Sequence, residues 1–234
     1  MKFTIERSAL VAAVTPLKGV VQARNTIPIL GYLLISATEN GAKFTATDLD
    51  LALVEHVAAN VENEGAATVP AAKLSEIVRR LPSDSEVKFE ARDGQVHIRA
   101  GRANVRLPSL NANDFPSLQI GRLPHEFTVE AADLFHTIAN VRFAMSADEK
   151  RYYLCGVYLH IIGASLRAVA TDEITIGDDH PPVRAAFQSR YLTVITDQVG
   201  STIRTELASD PALPAVLRDS EDPRCLFVVM TCRG

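Results

Sequence analysis

Apolar positions along the chain switch between a period of two and steps of three or four, and the switches mark out its elements. Residues 2–6 alternate as a strand, and Leu10, Val14, Leu17 and Val21 then recur at helical steps. Pro16 falls inside that helix and predicts a kink, or a division after about two turns. Alternating segments follow at Leu30–Glu39, Ala42–Thr47 and Ala52–Val61, with Glu39-Asn40-Gly41 as a turn. A second helix is predicted over Ala71–Leu81, with Leu74, Ile77, Val78 and Leu81 inward and Lys73, Arg79 and Arg80 outward, stopping at Pro82. Strands at Glu86–Ala91 and Gln95–Ala100, joined through Asp93-Gly94, precede another at Ala103–Leu107. Residues 108–123, spaced by Pro108 and Pro116 and ending before Pro124, read as a connection.

The pattern then returns. Phe3-Thr4-Ile5-Glu6 with Leu10 reappears as Phe127-Thr128-Val129-Glu130 with Leu134, and Ala46-Thr47-Asp48 as Ala170-Thr171-Asp172, both at an offset of 124. Gly31-Tyr32-Leu33-Leu34-Ile35 answers Gly156-Val157-Tyr158-Leu159-His160 one residue out of phase. Ala71, Leu74, Ile77 and Leu81 answer Ser189, Leu192, Ile195 and Val199 at an offset of 118, so the second copy has lost six residues between Asp172 and Ser189. Matches in one order at a shared offset predict duplication, and the period is too long for a solenoid. The expectation is two α+β domains, 1–120 and 121–234, each with two helices packed on antiparallel sheets. Ser189–Val199 is rich in β-formers (Tyr191, Thr193, Val194, Ile195), and only the repeat makes it a helix.

Composition narrows the class. The longest apolar stretch, Ile27 to Ile35, is broken by Pro28 and Gly31 and is far shorter than the ~20 residues of a membrane span. The N-terminal strand lacks the apolar core of a signal peptide. Three cysteines without a Cys-x-x-Cys pair suit free thiols, so a cytoplasmic protein with no membrane association is expected. A net charge of −4 argues against a body coated in cations for tight DNA binding, while leaving room for one basic face.

Catalytic signatures are missing from the sequence. It contains no Gly-x-Gly, phosphate loop, His-Glu-x-x-His or recognisable nucleophile triad, so neither an enzyme nor a cofactor is expected. Asp178-Asp179-His180, beside Pro181-Pro182, reads as a solvated turn rather than a metal site. The duplicated Asp48 and Asp172 read as turn-formers ending strands. Cations are more telling: Lys18, Lys73, Arg79, Arg80, Arg142 and Arg190 fall on the four helices, Arg24 just beyond the first, and Arg151 before Tyr152-Tyr153. Singly these are solvated helix faces; together they outline a face that would hold phosphates without reading sequence.

At this point the motifs resemble a known family. Met1-Lys2-Phe3-Thr4-Ile5-Glu6-Arg7, Ile27-Pro28-Ile29-Leu30-Gly31, Thr47-Asp48-Leu49, Thr68-Val69-Pro70-Ala71 and Asp114-Phe115-Pro116 resemble the first domain of the bacterial DNA polymerase III beta subunit, the sliding clamp. Arg151-Tyr152-Tyr153-Leu154-x-Gly156 and Val169-Ala170-Thr171-Asp172 are similar to the front of its second domain. Leu226-Phe227-Val228-Val229-Met230-x-x-Arg233 is similar to the end of its third. Family chains carry three domains and this one has room for two. After Asp172 the usual Gly-His-Arg-Leu gives way to Glu173-Ile174-Thr175-Ile176, and the stretch from Phe187 onward resembles the back of domain three. The second domain is therefore expected to be a hybrid.

The resemblance implies a DNA clamp fold assembling into a six-domain ring around duplex DNA, here a homo-trimer of two-domain chains. It implies a processivity factor that tethers a polymerase, with a DNA polymerase and a clamp loader as peptide-motif partners. Carried over by position, the DNA-facing residues are Arg24, Arg151, Tyr152, Tyr153, Gln188 and Tyr191, the tyrosines being equally at home in a core. The peptide pocket would comprise Leu154, Thr171, Val228, Val229 and Met230, with Val228 and Met230 equally ordinary as core residues; Thr231 and Cys232 replace the family's Pro-Met. The subunit seam is expected to pair the edge strand around Val105 with a strand around Ile174 of the next subunit. The alternative is a clamp-like regulator that binds a full-length clamp or its peptide ligands.

Overall fold

The computed structural model describes residues 1–21, 26–117, 120–162, 165–171, 184–196, 199–208, 210, 213–221 and 225–230. It divides into two compact units, Met1–Ser117 and Leu118–Gly234.

Unit 1 opens with strand β1 (Lys2–Glu6) and helix α1 (Arg7–Val20). Strands β2 (Tyr32–Thr38), β3 (Gly41–Thr47), β4 (Leu51–Val57), β5 (Asn60–Asn63) and β6 (Gly65–Pro70) follow. Helix α2 (Ala71–Arg80) then leads to β7 (Glu86–Arg92), β8 (Gln95–Ala100) and β9 (Ala103–Pro108). These are two βαβββ motifs that exchange first strands. β1 pairs with β7 of the second motif, in the order β5-β1-β7-β8-β9, and β6 pairs with β2 of the first, in the order β4-β3-β2-β6. All these pairings are antiparallel, so each sheet needs both halves of the unit to form.

The core lies where the two sheets and the helices meet. Phe3 of β1 stacks on Phe89 of β7 at 4.8 Å between ring centres and meets Phe44 of β3 edge-on at 6.5 Å. Leu10, Val14 and Leu17 cover them from α1, and Leu74 and Val78 from α2. The Asp93-Gly94 hairpin has positive φ at both residues (51° and 69°), as a tight two-residue turn requires. Gly41 is obligatory: its φ is 117°, and a Cβ there would sit 2.6 Å from the carbonyl oxygen of Val57. Thr47 and Asp48 form the turn expected of them. Asp48 Oδ1 accepts from the amides of Asp50 and Leu51, and Thr47 Oγ1 accepts from Leu49 N while donating to Leu51 O.

Unit 2 repeats the plan with β10 (His125–Glu130), α3 (Ala131–Val141), β11 (Gly156–Ile162) and β12 (Ser165–Val169). Its second motif contains β13 (Arg184–Gln188), α4 (Ser189–Thr196), β14 (Thr202–Leu207), β15 (Ala215–Asp219) and β16 (Cys225–Val229). The exchange recurs: β10 joins β14-β15-β16, and β13 joins β11-β12. Segment 189–196 is helical despite its β-formers, because burial of Tyr191, Leu192 and Ile195 outweighs intrinsic preference.

Two expectations are corrected. Of the outcomes expected at Pro16, the division does not occur: α1 runs unbroken to Val20. Leu17 and Val20 bury on the same side as Leu10 and Val14, and the carbonyl that loses its intrahelical N–H belongs to Ala12, which is exposed. The single strand expected over Ala52–Val61 is instead β4 and β5, with β6 behind them. Strand β6 escaped notice because Gly65, Ala66 and Ala67 show no alternation and Pro70 closes it.

Candidate nucleic-acid interface

Helices α1 and α2 lie side by side, fixed at one end by Arg7. Its Nε donates to the carbonyl of Val78 and its Nη2 to that of Arg79, both at 3.1 Å. These carbonyls end α2, where only a long bond from Leu81 N reaches Val78 and the helix dipole is negative, so a guanidinium caps it well. The start of α1 is thereby held against the end of α2, and the pair is antiparallel.

The outer face of this pair is basic. Lys18, Lys73, Arg79 and Arg80 are exposed, and a groove between the helices is lined by Lys18, Ala72, Ser75, Glu76, Arg79 and Arg80. The groove's one carboxylate, Glu76, is bound to Arg80 at 2.7 Å across one helical turn. Three groove cations against one paired acid, with Lys73 exposed on the same helix, leave a net positive groove on a chain whose total is negative. Helix propensity and amphipathicity produce it: the inward stripe takes the apolar residues and leaves the charged positions in register outside. In unit 2 the exposed positions of α3 are Ala132, Asp133, Phe135, His136 and Asn140, so its helix surface carries little net charge.

The residues carried over by resemblance fall into distinct places. Arg151 is exposed, in a 3-10 segment over Glu149–Leu154 that breaks at Arg151 itself (φ −102°, ψ 53°), and ion-pairs with Asp148 at 3.4 Å. The backbones of Tyr152 and Tyr153 belong to that segment; their side chains, like Arg24 and Ile174, lie outside the described residues. Gln188 ends β13, half-buried, opposite Gly156. Tyr191 is 4% exposed, the core placement of the two readings open for it. On α4 it is buried alongside Leu192 and Ile195.

Of the expected peptide pocket, Leu154, Val228 and Val229 are buried, whereas Thr171 and Met230 are half-buried. Val228 and Val229 are successive residues of β16 and point to opposite faces, so one lining cannot hold both. A small, largely enclosed apolar cavity in unit 2 is lined by Phe127, Leu159, Leu166, Phe187 and Leu207 among others, and by none of those five. Val105 is half-buried on β9, the terminal strand of its sheet, whose outer edge has no strand beside it among the described residues.

Sequence reasoning did not find His97. It is 5% exposed on β8, accepts from Arg92 Nε at 3.4 Å through Nε2, and has no partner for Nδ1 among the described residues. Burial first, then Arg92 and Arg106, holds it below the ordinary histidine value, so it is neutral. The alternation of β8 was its one available signal. Among the described residues no His, Cys, Asp and Glu gather into a metal-like cluster, and no helix is long and apolar enough to cross a membrane.

Known proteins share this architecture. The DNA polymerase III beta subunit of Pseudomonas aeruginosa superposes with a TM-score of 0.87 at 27% identity, over all of this chain and 65% of that one. The sliding clamp of Bartonella birtlesii, solved bound to griselimycin, gives 0.83 at 30% identity over the same shares. The duplicated unit is thus a sliding-clamp fold. The model of the DNA polymerase III beta subunit N-terminal domain matches residues 1–119, that of its central domain matches residues 128–198, and the chain belongs to this family. The Beta sliding clamp of Caulobacter vibrioides is 43% identical over 178 residues, 74% of this chain and 48% of that protein. The chain therefore spans about half the length of this curated relative.

Proposed function

We propose that the chain is a DNA sliding clamp, a replication processivity factor that encircles duplex DNA, tethers a polymerase and performs no chemistry of its own. The observation that carries this is the α1–α2 groove, where Lys18, Arg79 and Arg80 meet a single, already paired carboxylate, with Lys73 exposed on the same helix α2. Such a face attracts phosphates through screened contacts that read no sequence. A ring held on by topology gains from weak contacts, because it must slide; the negative total charge fits that better than tight binding would. Arg24, Arg151, Tyr152, Tyr153 and Gln188 extend the DNA-facing surface in this proposal.

The ring is a homo-trimer of two-domain chains. Its seam forms where β9, around Val105, adds to a strand around Ile174 of the next subunit, a head-to-tail contact that closes on itself. Unit 2 is the hybrid of the family's second and third domains. Its peptide pocket, for motifs of a polymerase and a clamp loader, draws on Leu154, Thr171 and Met230. The griselimycin-bound clamp supports a ligand-taking surface on this fold. The site of action is the cytoplasm.

Threading tests this without a loader. The protein is incubated with linear duplex DNA carrying biotin at both ends, streptavidin is added, and the complex is washed at high salt. A ring remains on the blocked DNA and leaves DNA whose ends stay open. Equal loss from both overturns the clamp and favours a regulator of another clamp.

A further inference from the structure

Strands β7, β8 and β9 turn Val87, Phe89, Val96, Ile98 and Leu107 into the core of unit 1, so the alternate positions form the face turned away from it. On that face Glu90 of β7, His97 of β8 and Arg106 of β9 lie opposite one another in register. Arg92, opposite Gln95, stands in the row on one side of His97, and Arg99, opposite Lys88, in the row on the other. The three arginines therefore surround the histidine instead of lining up beside it.

Hydrogen-bond donors outnumber acceptors at this place. The imidazole of His97 is neutral and 5% exposed, and its Nε2 accepts from Arg92 Nε at 3.4 Å, so its proton sits on Nδ1. That Nδ1 is buried and has no partner among the described residues. The guanidiniums of Arg99 and Arg106 are exposed and make no hydrogen bond or ion pair among the described residues. Of the charged groups that act on His97, Arg92, Arg106 and Arg99 are cations and Glu90 is the one anion. Glu90 is 4.0 Å from Arg92 and stands opposite Lys2 as well.

Elsewhere on the same face the cations are met. Lys2 and Lys88 share Glu62, which lies 2.7 Å from Lys88, and Glu6 stands opposite Glu86 at the far end of β1 and β7. Around His97, three cations against one anion leave two positive charges in excess, on a chain whose total is negative. The α1–α2 groove is a separate place: the apolar sides of both helices meet the core, from which this face is turned away. A strand added at the edge of β9 leaves the face open, because edge pairing runs through the main chain in the plane of the sheet.

We propose that the outward face of β7–β9 holds a small phosphate-bearing anion, free phosphate or a phosphate monoester, between Arg92, Arg99 and Arg106. A tetrahedral dianion matches the two excess charges and offers three acceptor oxygens to three guanidiniums, each able to give paired hydrogen bonds. A single carboxylate brings half that charge. The phosphodiester backbone of DNA spreads single charges along a line, whereas these arginines form a cluster. The proposal rests on unit 1 alone and not on the clamp reading.

The test titrates sodium phosphate, and separately adenosine monophosphate, into the isotope-labelled whole chain at an ionic strength held constant with sodium chloride, and reads NMR shifts. Saturating shifts are expected for amides in 92–106. At saturation the pH at which the His97 imidazole titrates should rise, because a nearby anion favours the imidazolium. The tighter of the two ligands identifies the source of the phosphate. Arg99→Gln and Arg106→Gln, both at exposed positions and checked for native folding by circular dichroism, should each weaken binding about tenfold. Lys43→Gln, at an exposed cation of β3, should leave it unchanged. Shifts that never saturate, equal weakening by all three substitutions, an unmoved His97 titration, or a response to duplex DNA or an acidic peptide but to neither small anion would overturn the proposal.

Discussion

Replacing Arg7 with methionine removes the guanidinium and keeps most of the aliphatic stem. The half-buried bond to Val78 is the larger loss, since a hydrogen bond to a charged group contributes about 1.5–3 kcal/mol. The lower end applies, because the Val78 carbonyl still accepts from Leu81 N at 3.4 Å. The bond to Arg79 is exposed, and water replaces it at a cost of about 0.5 kcal/mol. The total is about 2 kcal/mol. Unit 1, Met1–Ser117, should unfold with an entropy of about 0.25 kcal/mol/K at about 2.1 cal/mol/K per residue, so its melting temperature falls by about 8 °C. Differential scanning calorimetry gives the shift, and hydrogen exchange should show lost protection in the last turn of α2. Arg7→Lys, with one donor group in place of a fork, should recover less than half. A shift below about 2 °C for Arg7→Met, against the 8 °C expected, would refute the capping role.

Asp219 is a buried carboxylate that accepts from Gly200 N and Glu221 N, each at 2.8 Å, so Asp219→Ala should cost about 2–4 kcal/mol by urea titration. The depressed pKa of His97 means that below the ordinary value of 6.5 the unfolded chain takes up a proton that the folded chain refuses. Stability should therefore fall as pH drops from about 7 to about 5, and His97→Gln should flatten that slope in melting curves. Val105→Pro removes a donor and fixes φ on the outermost strand of its sheet. Retention on end-blocked DNA should then drop to the level of open-ended DNA, while circular dichroism stays native.

Much of the fold was legible because local and repeated signals agreed. Leu10, Val14 and Leu17 give α1, Asp93-Gly94 gives the β7–β8 hairpin, and the offset repeat alone turns the β-formers of 189–196 into α4. What escaped depended on long-range contacts. Glu62 looks like any surface carboxylate until β5 carries it to Lys2 and Lys88, which hold it below the usual carboxylate range. Pro16 is tolerated because of what α1 packs on, and nothing local reports that. The basic helix face was readable from Lys18, Lys73, Arg79 and Arg80, since period and charge coincide. Tyr191 was not, because a tyrosine on a helix states no side until the packing chooses one.

Molar mass in solution, by light scattering on a sizing column across a dilution series, tests the ring most directly. Three chains of 25.4 kDa give about 76 kDa, and the account predicts that mass held constant through dilution. A mass of 25.4 kDa at every concentration would contradict it, because a lone chain has no partner with which to close the proposed ring.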